Sequence, residues 1–230
     1  MDTSPDLATR PPALLPDDSS LAGARVRLDA LSADRHAADL FAAAHEGPDA
    51  DPHLWDYLGY GPFADVAALH AHLATQEGST DPRFYAVVDL ATGRAAGVVS
   101  LLRIDAKHGS IEIGHVWFGA PLQRTPQATE AIYLLARHAF GALGHRRLEW
   151  KCDAANARSQ AAAPRFGFTY EGTFRQHMIV KGRNRDTAWF SILDGEWPAI
   201  DAAFTAWLAP GNFDADGRQR TPLAARREPA

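Results

Sequence analysis

A short apolar segment of the sequence holds two side chains that could accept a proton. Residues 110–118 are predicted to form a β-strand, and Glu112 and His115 stand among its apolar residues. A carboxylate is costly to bury without a partner, so its presence in such a strand needs a reason. An amine attacks only when it is deprotonated, and either side chain could act as its general base. The alternatives are an ion-paired or solvent-facing glutamate and a structural histidine.

A second pattern leads from a loop straight into a helix, at residues 122–131 (LQRTPQATEA). Thr125 is a typical N-cap residue, and Pro126 suits the first helical position. The free N–H groups and the positive dipole end of a helix start attract anions, so this turn could bind a phosphate. Arg124 adds a cation at the same place. A well-capped helix start without a ligand is the alternative.

A third pattern combines an amide and a hydroxyl in the first turn of a helix. Asn156 follows a predicted strand and is a typical N-cap residue, and Ser159 lies three residues later. Cys152, in the preceding strand, is the single cysteine of the chain. A thiol could carry an acyl group as a thioester. A lone cysteine in a strand is nevertheless more typical of a small buried apolar residue.

The elements that must position these side chains alternate between strands and helices. Periods of about two residues, with turn residues between them, predict strands at 25–30, 84–89, 95–104, 110–118, 146–152, 168–180 and 186–193. Periods of about 3.6 residues, with their cap residues, predict helices at 34–44, 64–75, 126–143, 156–165 and 197–208. The fold class is therefore α/β (α+β), with a mixed, mostly antiparallel central sheet flanked by helices.

These periods also predict which side chains share a face. In the helix at 126–143, the apolar stripe leaves Glu130, Tyr133 and Arg137 off the buried face. In the strand at 110–118, alternation predicts one face with Glu112, Gly114, Val116 and Phe118, and another with Ile113, His115 and Trp117.

Composition bounds the class of protein. The segments 1–20 and 211–230 lack periodicity, so we expect a flexible arm and a flexible tail around one domain at 21–210. The net charge of −5 argues against broad nucleic-acid binding, and one cysteine excludes a disulfide framework. The 10 histidines show no metal-ligand spacing, so no metal is expected. Without a long apolar run or a signal peptide, a cytoplasmic protein that does not bind membranes is expected.

Five strings, in order, resemble the acyl-CoA core of the GNAT superfamily of N-acetyltransferases. They are EIGHVWF, LQRTPQATEA, WKCDAANARS, FGFTYEGTF and GRNRD. The sequence is most similar to the RimJ/RimL-like, ribosomal-protein-alanine N-acetyltransferase branch, over about residues 24–198. The resemblance implies the GNAT fold, with acetyl-CoA as co-substrate. It also implies direct acetyl transfer to a primary amine, either a protein N-terminus or a small molecule.

The resemblance further implies roles for individual residues. Glu112 would be the general base, acting through water. Ser159 would stand near the thiol in place of the family's usual tyrosine acid, whose position is Ala163 here. Pro126 replaces a glycine of the pyrophosphate loop and removes one N–H donor. The residues expected to bind acetyl-CoA are Val116, Trp117, Phe118, Gln123, Arg124, Thr125, Pro126, Gln127, Ala128, Thr129, Asn156, Arg158 and Ser159.

The sequence indicates fewer residues for binding the acceptor than for binding acetyl-CoA. By resemblance, the loop at 53–63 (HLWDYLGYGPF) and the hairpin after Phe174 would form its walls. Asp56 and Asp186 could receive a cationic amine. A basic run in the hairpin could attract an acidic acceptor or be a solvated strand face; its members are Arg175, His177, Lys181, Arg183 and Arg185.

Two other functions remain open at this point. The departures at Pro126 and Ala163 are compatible with a catalytically silent acyl-CoA-binding sensor or interaction module. A transferase that uses a different acyl-CoA is the second alternative. The predicted partners are acetyl-CoA and an amine acceptor of unspecified identity, for a monomer or a homodimer.

Overall fold

The computed structural model describes residue 7 and residues 9–223. Its strands are β1 (Leu21–Ala22), β2 (Val26–Ala30), β3 (Arg83–Asp89), β4 (Ala95–Asp105), β5 (Ser110–Phe118), β6 (Arg147–Asp153), β7 (Thr169–Val180) and β8 (Arg183–Leu193). Its α-helices are α1 (Ala33–His45), α2 (Val66–Ala74), α3 (Pro126–Arg137), α4 (Ala157–Arg165) and α5 (Trp197–Leu208). A π-helical turn at His138–Ala142 follows α3, and a short 3-10 turn at Pro210–Asn212 follows α5.

The predicted elements are confirmed at similar bounds, and β5 and α5 match their predicted ranges. Within the described residues, the strands form one sheet in the order β1-β2-β3-β4-β5-β6-β8-β7. Only β5 and β6 pair in parallel, and the other neighbours are antiparallel. The α3 helix connects β5 to β6, as a parallel pair requires a crossover. The predicted mixed, mostly antiparallel sheet is therefore confirmed.

Two hydrophobic layers cover the sheet. Helices α1 and α2 contribute Leu40 and Leu69 to a cluster that includes Trp117 of β5. Helices α3 and α5 contribute Ile132 and Phe204 to the larger cluster on the other face.

The strand β6 separates an apolar from a polar face. Trp150 and Cys152 belong to the cluster beneath α3 and α5. Glu149 and Lys151 alternate with them and form an ion pair on the opposite face. Lys151 also contacts β8 on this face. It is the strand partner of Trp189, and its Nζ lies 3.7 Å from the centre of the indole ring.

A bulge in β5 corrects the predicted faces of that strand. The pairing with β4 leaves one extra residue in β5 between Gly114 and Trp117, and His115 adopts a left-handed φ of 49°. The alternation prediction is therefore wrong beyond Gly114. Trp117 lies in the cluster of α1 and α2, whereas Val116 and Phe118 contact the cluster of α3 and α5.

The α3 helix buries more than one stripe. Glu130 is 4% exposed and Tyr133 is 9% exposed, so the prediction that both lie off the buried face is wrong. Tyr133 donates a hydrogen bond to Asp201 of α5, and Glu130 accepts from three backbone N–H groups at residues 24–26. A helix held between a sheet, another helix and a turn has several buried faces, which a single stripe does not predict. Arg137 is exposed, as predicted.

The described parts of both terminal segments contact the domain. Leu14 donates its N–H to Leu143 O at 2.8 Å, and Asp18 forms an ion pair with Arg83. Leu223 is 8% exposed and belongs to the larger cluster. The prediction of a flexible arm and tail is therefore corrected for these residues. Extended segments that are bound to a surface lack periodicity, as flexible segments do, so the sequence does not distinguish the two. Residues 1–6, 8 and 224–230 lie outside the described residues.

Candidate active site

A cleft opens where two neighbouring strands diverge. The parallel pairing of β5 and β6 ends at Ile113 and Trp150, yet the strands continue to Phe118 and Asp153. The facing backbone groups beyond that point have no strand partner, so they are available to a ligand. A cavity of about 1800 Å³ occupies this space.

The start of α3 borders the cleft with unpaired N–H groups. Thr125 caps the helix, accepting from Ala128 N at 3.3 Å, and Pro126 is the first helical residue. Within the described residues, the backbone N–H groups of Arg124 and Gln127 meet no acceptor. Arg124 has a left-handed φ of 61°, which turns successive N–H groups toward one side. The turn can therefore bind an anion although Pro126 provides no donor.

Twelve of the thirteen residues predicted to bind acetyl-CoA line the cleft, and Gln127 does not. Trp117 is only 3% exposed and packs in the cluster of α1 and α2. Gln123 uses its side-chain N–H to bond Phe118 O at 3.0 Å, which ties the loop to the end of β5. Thr129 accepts from Arg165 at 3.1 Å.

The predicted amide and hydroxyl meet at the first turn of α4. Asn156 Oδ1 accepts from Ser159 N at 3.0 Å, which leaves the amide N–H groups of Asn156 available to a ligand. Trp150 Nε1 donates to Ser159 Oγ at 2.9 Å, so the hydroxyl proton of Ser159 can go to another acceptor. Cys152 lies beside them, and burial raises the pKa of its thiol. A protonated thiol is a poor nucleophile, which argues against a covalent intermediate.

Glu112 lines the cleft from β5 and is only 3% exposed. Its Oε2 accepts from Arg103 Nη1 at 2.7 Å and lies 3.0 Å from Lys151 Nζ. The ion-paired alternative is thus observed. Within the described residues, Oε1 accepts no hydrogen bond, so one oxygen remains for a water or an amine.

The partners of Glu112 belong to a network that sequence reasoning missed. Lys151 Nζ lies 2.7 Å from Glu149 Oε2, and Arg147 joins Glu149 to Glu171. Arg147 lowers the pKa of Glu171 to about 2 by hydrogen bonding. The signal was present as alternating charges at Arg147, Glu149 and Lys151 along one strand. Their link to Glu112 depends on strand pairing.

His115 is a second polar group on the cleft wall. Burial lowers the pKa of His115 to about 4, so its imidazole is neutral near pH 7. Its ring is stacked on Tyr60 with 5.8 Å between the ring centres. This packing fits the structural alternative for His115.

The loop that follows α1 is tied to the segment before α4 and to the β7–β8 hairpin, the two segments predicted to wall the acceptor site. Tyr57 donates its hydroxyl to Ala155 O at 3.0 Å, and Lys181 Nζ donates to Trp55 O and Gly61 O at 2.8 and 3.1 Å. Lys181 is thus used in closing this wall.

The other acceptor-side candidates separate into two groups. His177 and Arg185 line the cleft, whereas Arg175 and Arg183 are exposed outside it. Asp186 receives hydrogen bonds within its own hairpin and does not line the cleft. Asp56 lines the cleft and contacts His53 at 2.9 Å, while Arg158 forms an ion pair with Asp51.

The part of the chain that the structure describes lacks two further features. No helix there is both long enough and apolar enough to cross a membrane. No group of three or more His, Cys, Asp or Glu side chains there is arranged to hold a metal ion.

Comparisons with known proteins agree with this geometry. The model of the Acetyltransferase (GNAT) domain matches residues 25–169. A crystal structure of a GCN5-related N-acetyltransferase from Brucella melitensis has 47% sequence identity and a TM-score of 0.90, covering 94% of this chain and 96% of that one.

Two further relatives carry names with a ribosomal connection. "Putative ribosomal N-acetyltransferase YdaF" of Bacillus subtilis is 31% identical over 105 residues, 46% of this chain. That alignment spans 57% of the length of YdaF. A structure of RimL, named as a ribosomal L7/L12 alpha-N-protein acetyltransferase, shares the fold at 20% identity and a TM-score of 0.63, covering 78% of this chain and 99% of that one.

The diverging strands, the anion-binding helix start and the match over most of the chain lead to one conclusion. The chain belongs to the GNAT family of acetyltransferases.

Proposed function

We propose that the protein transfers an acetyl group from acetyl-CoA to a primary amine by direct attack in a ternary complex. The observation that carries this proposal is a single cleft that joins the unpaired edge of β5, the free N–H groups before α3 and the Glu112 carboxylate. A long cofactor with a diphosphate in its middle fits this order of groups.

The donor would bind largely through backbone groups. The pantetheine arm would pair with the free edge of β5 at Val116–Phe118, and the diphosphate would contact the N–H group of Arg124 at the start of α3. The Arg124 guanidinium would add charge where Pro126 removes a donor. Asn156 would donate from its free amide N–H to a pantetheine carbonyl.

The reaction would need one proton acceptor and one proton donor. Glu112 would take the proton from the ammonium through a water at Oε1, and the free amine would attack the thioester carbonyl. A backbone N–H on the free edge of β5 would stabilise the oxyanion of the tetrahedral intermediate. Collapse breaks the C–S bond and yields the amide and the thiolate of CoA, which Ser159 would stabilise or protonate.

The acceptor would be a protein N-terminus or a small-molecule amine. The ribosomal names of YdaF and RimL favour a protein N-terminus, although each name describes only that protein. The silent sensor keeps one supporting observation, since Ala163 is fully buried and offers no acid at the tyrosine position. A longer or acidic acyl-CoA as donor is the remaining alternative.

The test has two steps. Acetyl-CoA at about 100 times its Kd should stabilise the protein by about 2.7 kcal/mol, and Arg124→Glu should reduce that shift while leaving the stability of the free protein unchanged. CoA release should then be measured with a panel of amines and of acyl donors. Tight binding with no release on any amine would support the sensor instead. An unchanged melting temperature at saturating acetyl-CoA would contradict the acyl-CoA site.

A further inference from the structure

The acceptor half of the cleft holds an arginine without a carboxylate partner. Arg185 of β8 lines the cleft and is half-buried. Its Nε is fully buried and has no hydrogen-bond partner among the described residues. Within that part of the chain, Arg185 also forms no ion pair. Leaving a half-buried guanidinium without a hydrogen-bond acceptor costs free energy. A ligand in the cleft would supply that acceptor.

The carboxylates on neighbouring elements are directed elsewhere. Asp153 of β6 accepts from Ala155 N at 2.8 Å. Asp186, the next residue along β8, accepts from Gln176 N and Asn184 Nδ2. Glu112 of β5 is taken by Arg103 and Lys151, and His177 of β7 contacts Thr187 at 2.9 Å.

Other arginines on the cleft wall show the contrast. Arg103 and Arg158 have carboxylate partners, Glu112 and Asp51. Arg165 donates to Thr129 near the start of α3, on the side proposed for the diphosphate. Arg185 is therefore a cation available to the acceptor rather than to the protein's own acids.

Arg185 follows the end of the pairing between β6 and β8. That pairing ends at Asp153 and Thr187, and Arg185 is two residues further along β8. Arg185 therefore lies beyond the paired part of these strands, on the wall of the same cleft that Glu112 lines.

We propose that the acceptor of this transferase carries a carboxylate close to its reacting amine, and that Arg185 binds this carboxylate. The inference rests on the proposed acetyl transfer and specifies the substrate class of the same site. The carboxylate can belong to a free amino acid or to an acidic residue at the second position of a polypeptide. Both sources present the same chemistry to the guanidinium, and the fork of N–H donors binds a carboxylate through two hydrogen bonds.

The experiment uses two matched pairs of acceptors with acetyl-CoA. The first pair is serine and serinamide, and the second is Ser-Glu-amide and Ser-Gln-amide. The carboxylate member of at least one pair should have a KM about ten- to a hundred-fold lower. Arg185→Gln should remove that preference and leave the neutral member unchanged. The pair that shows the preference identifies the source of the carboxylate.

The matched control is Arg183→Gln, which removes the same charge from the exposed tip of the same hairpin. It should keep the preference, whereas an equal loss would mean that the general field of the hairpin, and not Arg185, selects the acceptor. CoA release without a preference in either pair would overturn this inference alone. No release with any amine would overturn the proposed function.

Binding gives a readout that does not need turnover. Calorimetry of the four acceptors against CoA-loaded protein should show the same preference, and Arg185→Gln should abolish it. Equal binding of carboxylate and amide members would overturn the inference even if the protein proved to be a sensor.

Discussion

The two halves of the cleft are built in different ways. The half proposed for the donor consists of the end of β5 and the loop that follows it in sequence, and it offers mostly backbone groups. The half proposed for the acceptor combines the loop after α1 with a hairpin more than a hundred residues later, and it offers mostly side chains. A backbone site tolerates most changes of side chain, proline excepted because it lacks an N–H, whereas a side-chain site can be altered by single substitutions.

This difference accounts for where the family resemblance is clear. Phosphate and pantetheine are constant in every acyl-CoA, so a backbone site suffices for them. The acceptor differs from one enzyme to another, and Arg185, the residue proposed to bind it here, is not distinguished by the local sequence from its solvated neighbours.

The largest expected effect is on the attachment of α3 to the sheet. Glu130→Ala leaves the N–H groups at residues 24–26 without their acceptor, so we expect a loss of about 3–5 kcal/mol in the free energy of unfolding. Urea denaturation measures it. Arg137→Ala, on the exposed side of the same helix, should change stability by less than about 0.5 kcal/mol. Similar losses for both variants would contradict the role of Glu130.

Glu112→Gln tests the proposed general base, which lies where the two halves of the cleft meet. We expect kcat to fall about a hundred-fold at neutral pH, with partial recovery at higher pH as free amine becomes available. The matched control is Glu149→Gln. It removes another carboxylate bound to Lys151, and Glu149 does not line the cleft. Steady-state rates across pH 6–9 check this. Wild-type kcat for Glu112→Gln at every pH would exclude it as the base.

The stability of the folded protein should decrease at acidic pH because of His115. Burial lowers its pKa in the folded protein to about 4, below the ordinary value of about 6.5 for a solvated histidine. Between these values the unfolded chain binds a proton that the folded protein does not, so stability falls as pH decreases, by up to about 1.4 kcal/mol per pH unit. His115→Gln should flatten this part of the stability profile.

The exposed His108 supplies the control for that measurement. His108→Gln should keep the wild-type pH dependence in denaturation experiments between pH 4 and 7. If the stability of His115→Gln depended on pH as that of the wild-type protein does, His115 would not be held neutral in the folded protein.

On the donor side, Ser159→Ala should reduce kcat by about ten-fold and leave the KM for acetyl-CoA unchanged. The reason is that the hydroxyl would act on the leaving thiolate, a modest effect because a thiol leaves well unaided. Steady-state kinetics measure both quantities. Cys152→Ala should stay near the wild-type rate, and ping-pong kinetics in the wild-type protein would contradict direct transfer.

The smallest expected effect concerns the closure of the acceptor wall. Lys181→Met keeps the side-chain length but removes the donors to Trp55 O and Gly61 O. We expect the KM for the amine to rise about three-fold while the KM for acetyl-CoA stays constant. Arg183→Met at the tip of the same hairpin should change neither value. A change in the acetyl-CoA value instead would place Lys181 on the donor side.

Much of the fold could be predicted because its signals are local. The bounds of β5 and α5, the cap at Thr125 and the N-cap at Asn156 follow from patterns within a few residues. The same locality predicted a capped helix start with free N–H groups, since a helix start presents these groups whatever surrounds it.

The tertiary structure decided what depends on pairing between distant segments. The bulge at His115 arises from the register of β5 against β4, and it reversed the faces expected from simple alternation. The ion pairs of Glu112 depend on β4 and β6 lying on either side of β5, because side chains on adjacent strands come within a few ångströms of each other. Sequence alone therefore determined which chemical groups the chain offers and in which local conformations. Only the packed sheet decided which of these groups are neutralised by a partner and which, like Arg185, are left for a ligand.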